Sequence, residues 1–254
     1  MKLGAQLYSV ADRVKTPEDL RNTLTQLKAQ GYVNAQFSGV PDMGAQVWAD
    51  ISKETGMPIA CTHMPYDRIV NDTDALIAEH KIYGCSVIGL GGMPNECRGT
   101  LAGLEKFLKE MEEPVKKINA AGMRFSYHNH WFEFGKFSDA EGCAYDVMLE
   151  RCPDWLFLID VAWAQFGKQS AADYIRKIGA SRIQNVHFKD YTNPDNWDSL
   201  VPCGQGLVPF PEIIEACREM GVENVLVEQD TAPKTGDSIG QMAQSAAYLL
   251  PLLK

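Results

Sequence analysis

The chain has 254 residues, is 45% hydrophobic and carries a net charge of −9 at pH 7. That length supports one substantial core and is common for an α/β barrel. The charge argues against DNA or another polyanion as partner, because no run of Lys or Arg relieves the repulsion. The seven cysteines, Cys61, Cys85, Cys97, Cys143, Cys152, Cys203 and Cys217, are scattered and include no CxxC pair. They read as thiols of a reduced, cytoplasmic protein, with neither a disulfide scaffold nor a cysteine zinc site. "MKLGAQLYSV" has no signal-peptide pattern, and no apolar run reaches the roughly 18–20 residues of a membrane span.

The elements alternate from the start. "KLGAQLYSV" reads as a strand, and "TPEDLRNTLTQLKAQG" as a helix. Thr16 is its N-cap, Pro17 suits the first turn, Glu18 and Asp19 complement the dipole, and Gly31 closes it. Leu20, Leu24 and Leu27 share a face. Strand-like runs recur near 32–37, 58–63, 86–91, 123–128, 156–161, 183–188 and 224–229, with helical patterns between them. The longest helix, about 100–121, contains Pro114, which predicts a kink. His80 falls on a predicted helix and reads as a surface residue. Eight strands, each followed by a helix and apolar enough to be covered on both faces, predict a closed parallel (β/α)8 TIM barrel, one domain over 1–254. An open doubly wound sheet would need a glycine-rich turn after the first strand, and "LYSVADRV" is not one.

Chemistry in such a barrel gathers at the C-terminal ends of the strands. The fifth ends in "YHNHWFE", the sixth in "LIDVAW", the seventh in "VHFKD" and the eighth in "LVEQD". Each offers a metal-type ligand after an apolar run where an unpaired charge is costly: Glu133 or a histidine beside it, Asp160, His187 and Glu228. Singly, each could cap a helix or meet an arginine. In four consecutive units they point to one divalent cation, which removes the repulsion between converging carboxylates. An oxygen-rich set with one imidazole suits Mn²⁺ or Mg²⁺, with Co²⁺ or Zn²⁺ as alternatives. His187 and Lys189 are two apart and share a face, as do Glu228 and Asp230. Lys189 there could hold a substrate oxygen or a phosphate. His63 ends the third strand and is read as substrate contact or structural residue. Trp131, Phe132, Phe134 and Trp163 could be packing or the wall of a sugar site.

In this order, "YHNHWFEF", "LIDVAW", "VHFKD", "GQG" and "VEQD" resemble the xylose-isomerase-like TIM barrels, the sugar phosphate isomerase/epimerase group with its inosose dehydratase-like branch. The resemblance runs nearly the whole chain. It implies one divalent metal held by Glu133, Asp160, His187 and Glu228, with His130 or His128 in place of Glu133 as the alternative. Many epimerases of the group carry the first glutamate where this chain has Ser126. The resemblance implies a sugar or sugar-phosphate isomerase or epimerase working by proton transfer next to a carbonyl through an enediolate. Glu228 and Glu133 would move the proton, and Lys189, Asn129, His63, His130 and Trp163 would meet the substrate. A lyase or dehydratase acting on an inosose or 3-keto-glycoside is the second expectation. A barrel that binds sugar without turnover is the third. Endonuclease IV is a relative, but Trp163 stands where it places a second ligand, and "DNWDSL" lacks its DxH pair, so a nuclease is not expected. The expected partner is a small carbohydrate, and self-association into a homo-oligomer is left open.

Overall fold

A computed structural model describes all residues, Met1–Lys254. Eight parallel strands run in the order β3-β2-β1-β10-β7-β6-β5-β4. They are β1 (Lys2–Gln6), β2 (Asn34–Phe37), β3 (Ile59–Thr62), β4 (Val87–Leu90), β5 (Arg124–His128), β6 (Leu156–Asp160), β7 (Asn185–Phe188) and β10 (Asn224–Val227). The ends of this order, β3 and β4, meet through the Met64 N–H on the Gly89 carbonyl at 2.8 Å. A Cβ on Gly89 would lie 2.1 Å from the Thr62 oxygen, so glycine permits this approach. The result is the expected barrel of eight parallel strands, nearly closed, with helices around it. Strands β2, β4, β7 and β10 are buried at every position, as a sheet covered on both faces requires.

The helices follow their sequence signals. α1 (Pro17–Ala29) opens with a capping box in which Thr16 and Asp19 satisfy each other's backbone N–H. α2 (Ala45–Thr55) ends at Gly56 and α4 (Thr73–Tyr83) at Gly84, both in the left-handed conformation. α5 (Leu101–Ala120) carries Pro114 inside one unbroken helix. α6 (Ala144–Arg151), α8 (Ala171–Ile178), α9 (Phe210–Glu219) and α10 (Ser238–Leu252) complete the outer layer. Short elements that periodicity does not reveal lie mostly at the C-terminal mouth. They are α3 (Tyr66–Asn71), α7 (Val161–Phe166), the 3-10 turns Leu7–Arg13, Asn95–Cys97, Phe132–Phe134 and Ala232–Thr235, the first of which replaces the end of the strand read in "KLGAQLYSV", and an antiparallel hairpin of β8 (Asp190–Tyr191) and β9 (Leu200–Val201).

One expectation needs correction. His80 is fully buried, not a surface residue. Leu76, Ile77, His80 and Tyr83 all lie on the buried face of α4. Its Nδ1–H donates to the Leu76 carbonyl at 2.7 Å, and Nε2 meets the Thr62 hydroxyl at 2.8 Å. Burial pushes it down to about 4, so the ring is neutral.

At the floor of the barrel three amides join in a chain. Asn34 Nδ2 donates to Asn224 Oδ1 at 2.7 Å, and Asn224 Nδ2 donates to Asn185 Oδ1 at 2.8 Å. A small apolar cluster of Cys61, Val87, Leu156, Leu158 and Leu226 packs separately from the main core. No helix is long and apolar enough to cross a membrane.

Candidate metal centre

Strand register sets the centre. Asp160, the last residue of β6, pairs directly with His187 of β7. His128 ends β5, and Glu228 follows β10 with its N–H on the Phe188 carbonyl at 3.0 Å. Neighbouring strands in register project these side chains to the same face. His128, Asp160, His187 and Glu228 each bring one ligand atom to a place where all four lie within 4.8 Å of one another. The group could hold a metal ion. All four residues are buried, and each aims an atom without a directed hydrogen bond at the centre: His128 Nε2, Asp160 Oδ2, His187 Nδ1 and Glu228 Oε2.

The far atom of every one is tied. His128 Nδ1–H donates to the Gly91 carbonyl at 2.9 Å, which leaves the Nε2 lone pair facing inward. His187 Nε2–H donates to Gln36 Oε1, which leaves Nδ1 inward. Asp160 Oδ1 accepts the Trp163 N–H at 2.9 Å and so caps α7. Glu228 Oε1 accepts from Gln6 Nε2 at 2.7 Å. Such outer partners fix tautomer and orientation in metal sites. Gln6 is itself oriented, because its Oε1 accepts the Tyr8 N–H and its Nε2 also reaches Ser38 Oγ at 3.1 Å. The chain continues from Ser38 Oγ to His63 Nδ1 at 3.3 Å. With Ser38 accepting from Gln6, its own proton points to His63 Nδ1, so His63 carries its hydrogen on Nε2.

Charge also fits a cation. Lys189 Nζ lies 3.1 Å from both Asp160 Oδ2 and Glu228 Oε2, and 2.7 Å from Asp230 Oδ2. These are close ionic approaches, not directed hydrogen bonds. One lysine facing three carboxylates leaves two negative charges, the amount a divalent ion balances. Burial alone would raise Asp160 and Glu228, but Lys189 and the neighbouring histidines hold both below the ordinary carboxylate range. Burial disfavours charge on Lys189 and His187 too, yet the carboxylates raise both. Without a metal, a proton on His187 Nδ1 therefore compensates the Glu228 oxygen 2.7 Å away.

The sequence pointed first to Glu133, and the structure puts it elsewhere. The 3-10 turn after β5 carries it back under the strand end, where its oxygens accept the Tyr127 hydroxyl at 2.7 Å and the His130 N–H at 2.8 Å. It is fully buried, and burial raises it to about 7 against those two donors. His128, one of the two alternatives, stands in the group. Asn129 also faces backbone: its Oδ1 accepts the Asp160 N–H at 3.0 Å, and its Nδ2 reaches the Asp160 carbonyl at 3.4 Å. His63 and His130 line a cavity of about 640 Å³ that runs over β2–β4. Their rings are half-buried, with His63 Nε2 and His130 Nδ1 unpartnered. Burial lowers both, His130 to about 3. His130 stacks on Phe132 and Trp163, and Trp163 lies under Lys189 with Nζ 4.3 Å from its ring. Trp131 packs 5.2 Å from Trp163 and stays 42% exposed.

Gln6, Gln36 and Ser38 were missed. The available signal for the two glutamines was an amide near the C-terminal end of a strand, in "KLGAQ" and "NAQF", where an unpaired polar group is costly; Ser38 lies just past β2.

A model of the family described as xylose isomerase-like TIM barrel matches residues 36–251. The chain belongs to that family. No curated protein matches it. Among solved structures, this xylose isomerase-like barrel is similar to a sugar phosphate isomerase/epimerase from Parabacteroides distasonis ATCC 8503. The TM-score is 0.82 at 20% identity, over 100% of this chain and 95% of that one. It is similar to an L-ribulose 3-epimerase with TM-score 0.73 at 15% identity, over 100% and 95% of the two chains. It also resembles the probable 3-DHS dehydratase AsbF, involved in petrobactin synthesis, from Bacillus anthracis. There the TM-score is 0.75 at 12% identity, over 98% and 99%. At these identities the likeness is one of fold.

Proposed function

We propose that the protein is a metal-dependent sugar isomerase or epimerase, with His128, Asp160, His187 and Glu228 holding one divalent ion. One observation carries this: four buried donor atoms converge while the opposite atom of each side chain is fixed by a hydrogen bond. Two nitrogens and two oxygens favour Mn²⁺, Co²⁺ or Zn²⁺ over Mg²⁺. When bound, the ion supplies Lewis-acid polarisation of a carbonyl and an adjacent hydroxyl. Glu228 takes the proton from the carbon beside that carbonyl through Oε2, the oxygen that faces the centre while Gln6 keeps Oε1. Lys189 holds a substrate oxygen against the charge that develops. His63 offers a neutral N–H from the cavity side, and His130 and Trp163 form a wall for the sugar ring. The family and the epimerase folds it resembles support this reading.

A lyase or dehydratase is the second reading, and Glu133 favours it. An epimerase needs a second group to return the proton on the opposite face, and Glu133 is engaged with Tyr127 and His130. β-Elimination needs one base and a leaving group.

The test is Glu228→Gln in the Mn²⁺-loaded protein, assayed by NMR in D₂O against ketoses, inososes and 3-keto-glycosides. Turnover is expected to fall at least about a hundredfold, with exchange of the α-hydrogen falling in parallel. Exchange at the wild-type rate without product would place Glu228 after proton abstraction. Full activity after exhaustive chelation would remove the metal from the reading.

A further inference from the structure

We infer that the substrate is an uncharged keto-sugar and not a sugar phosphate, because the barrel's own carboxylates occupy the places a phosphate would take. This rests on the proposed function and concerns the same site.

In barrels of this architecture a phosphate is commonly held by backbone N–H groups of the loops after the seventh and eighth strands. Here the segment after β7 has such a cradle of N–H groups, and it is filled from within. Asp190 is buried, and its Oδ2 accepts the N–H groups of Gly204 and Gly206, both at 2.9 Å. Its Oδ1 accepts those of Tyr191 at 2.9 Å and Val208 at 3.1 Å. Four convergent N–H groups make an anion nest, and the anion is a side chain of the protein. The fit is close. A Cβ on Gly206 would lie 2.3 Å from both Asp190 Oδ1 and the Tyr191 carbonyl oxygen, and Gly204 has φ +89°. A phosphate would have to expel a carboxylate that already has four donors.

The cations near the site are already engaged, which leaves Lys189 able to meet a neutral substrate oxygen but leaves no surplus charge for a phosphate. Lys189 faces Asp160, Glu228 and Asp230. Arg98, the cation lining the 640 Å³ cavity, gives its Nε and Nη2 to the Met93 carbonyl at 3.0 and 2.8 Å. Its guanidinium lies 3.9 Å over the Phe132 ring. The other charged residues of the cavity are Asp67 and Glu96, which repel an anion. What the mouth offers is neutral: the His63 and His130 rings and the Trp131–Trp163 pair, which suit hydroxyls and the apolar face of a sugar.

Matched pairs test this: D-fructose against its 6-phosphate, D-tagatose against its 6-phosphate, and D-ribulose against its 5-phosphate. Each is titrated into the Mn²⁺-loaded protein by calorimetry and followed for α-hydrogen exchange in D₂O. The neutral member should be favoured by about tenfold or more. A tenfold preference for the ester would overturn the inference and leave the proposed function intact. If no member of any pair binds or exchanges, the proposed function fails for these ketoses, and inorganic phosphate decides the inference alone. Phosphate should neither raise the melting temperature of the wild type nor move the Gly204 and Gly206 amide signals. A saturable shift there would overturn it. Asp190→Ala, which empties the cradle, should gain melting temperature with phosphate. If that variant does not fold, Asp190→Ser, whose side chain is too short to fill the cradle, takes its place. A folded variant indifferent to phosphate would show that the four N–H groups make no usable anion site, and the inference would fall.

Discussion

The two ends of the barrel bury polar side chains in opposite ways. At the floor, Asn34, Asn224 and Asn185 are neutral and pass hydrogen bonds from one to the next, leaving one amide oxygen, Asn34 Oδ1, without a partner. At the mouth, His128, Asp160, His187, Lys189, Glu228 and Asp230 are mostly charged, and each keeps an atom without a directed partner. Buried polar groups are ordinarily satisfied, and an unsatisfied one costs about 1–3 kcal/mol. The floor is built for stability. The mouth holds its charges by close ionic approaches alone, which leaves atoms that a cation could engage.

That contrast can be broken most sharply by paired substitutions. His128→Ala should lower metal affinity by more than about a hundredfold, exceeding the effect expected for an outer partner, with little loss of stability in the metal-free protein. Asn224→Ala should do the reverse. It strands the Asn34 amide and the Asn185 oxygen, and should cost about 1–3 kcal/mol in urea unfolding with metal affinity unchanged. If the floor variant lost metal binding as well, the two ends would not be independent.

Metal addition sharpens the same point. A ligand that binds only the folded state should stabilise it by about 2.7 kcal/mol at a hundredfold excess over Kd. Because the carboxylates raise His187, metal must displace its proton. Binding should therefore release a proton below the raised pKa, and affinity should fall as pH falls through it. Calorimetry in two buffers of different ionisation enthalpy measures that release.

Gln36→Leu should weaken metal binding by about 10–100-fold while every ligand remains. The loss of the acceptor on His187 Nε2 frees the ring to change tautomer. Unchanged affinity would mean that packing alone orients the ring.

The smallest effect concerns His80, away from the mouth. Its pKa is lowered from 6.5 to about 4 by burial. The unfolded chain then binds a proton that the folded one refuses. This stability is fully present above pH 6.5 and is lost as pH falls toward 4. His80→Gln offers a donor and an acceptor without the charge, and should flatten that limb of the unfolding curve relative to wild type.

Much of this was legible beforehand because barrel strands declare themselves twice, by an apolar run and by the polar residue that ends it. Asp160, His187 and Glu228 stand out in that way. The choice between Glu133 and His128 was not legible. Both follow the same apolar run, and only the 3-10 turn at Phe132–Phe134, fixed by tertiary contacts with Tyr127, decides which carries its side chain to the centre. His80 could have been read correctly, since its spacing from Leu76, Ile77 and Tyr83 marks the inner face of α4. The β8–β9 hairpin, with two residues per strand, is too short for any periodicity to register.

The four candidate ligand atoms come from the ends of β5, β6 and β7 and from the residue after β10, strands consecutive in the sheet, whereas the cavity is walled mainly by segments after β2, β3 and β4. The two halves adjoin where β4 pairs with β5, whereas the approach of β3 to β4 at Gly89 lies within the cavity half. Descent can act on them separately. Exchanges at 39, 64–67 and 94–98 would redraw what the cavity accepts, whereas Gly91, which holds His128 Nδ1, and Ser38, which meets Gln6, serve both halves. A lineage built on this scaffold can thus reshape the cavity's outer rim without rebuilding the cluster beneath it.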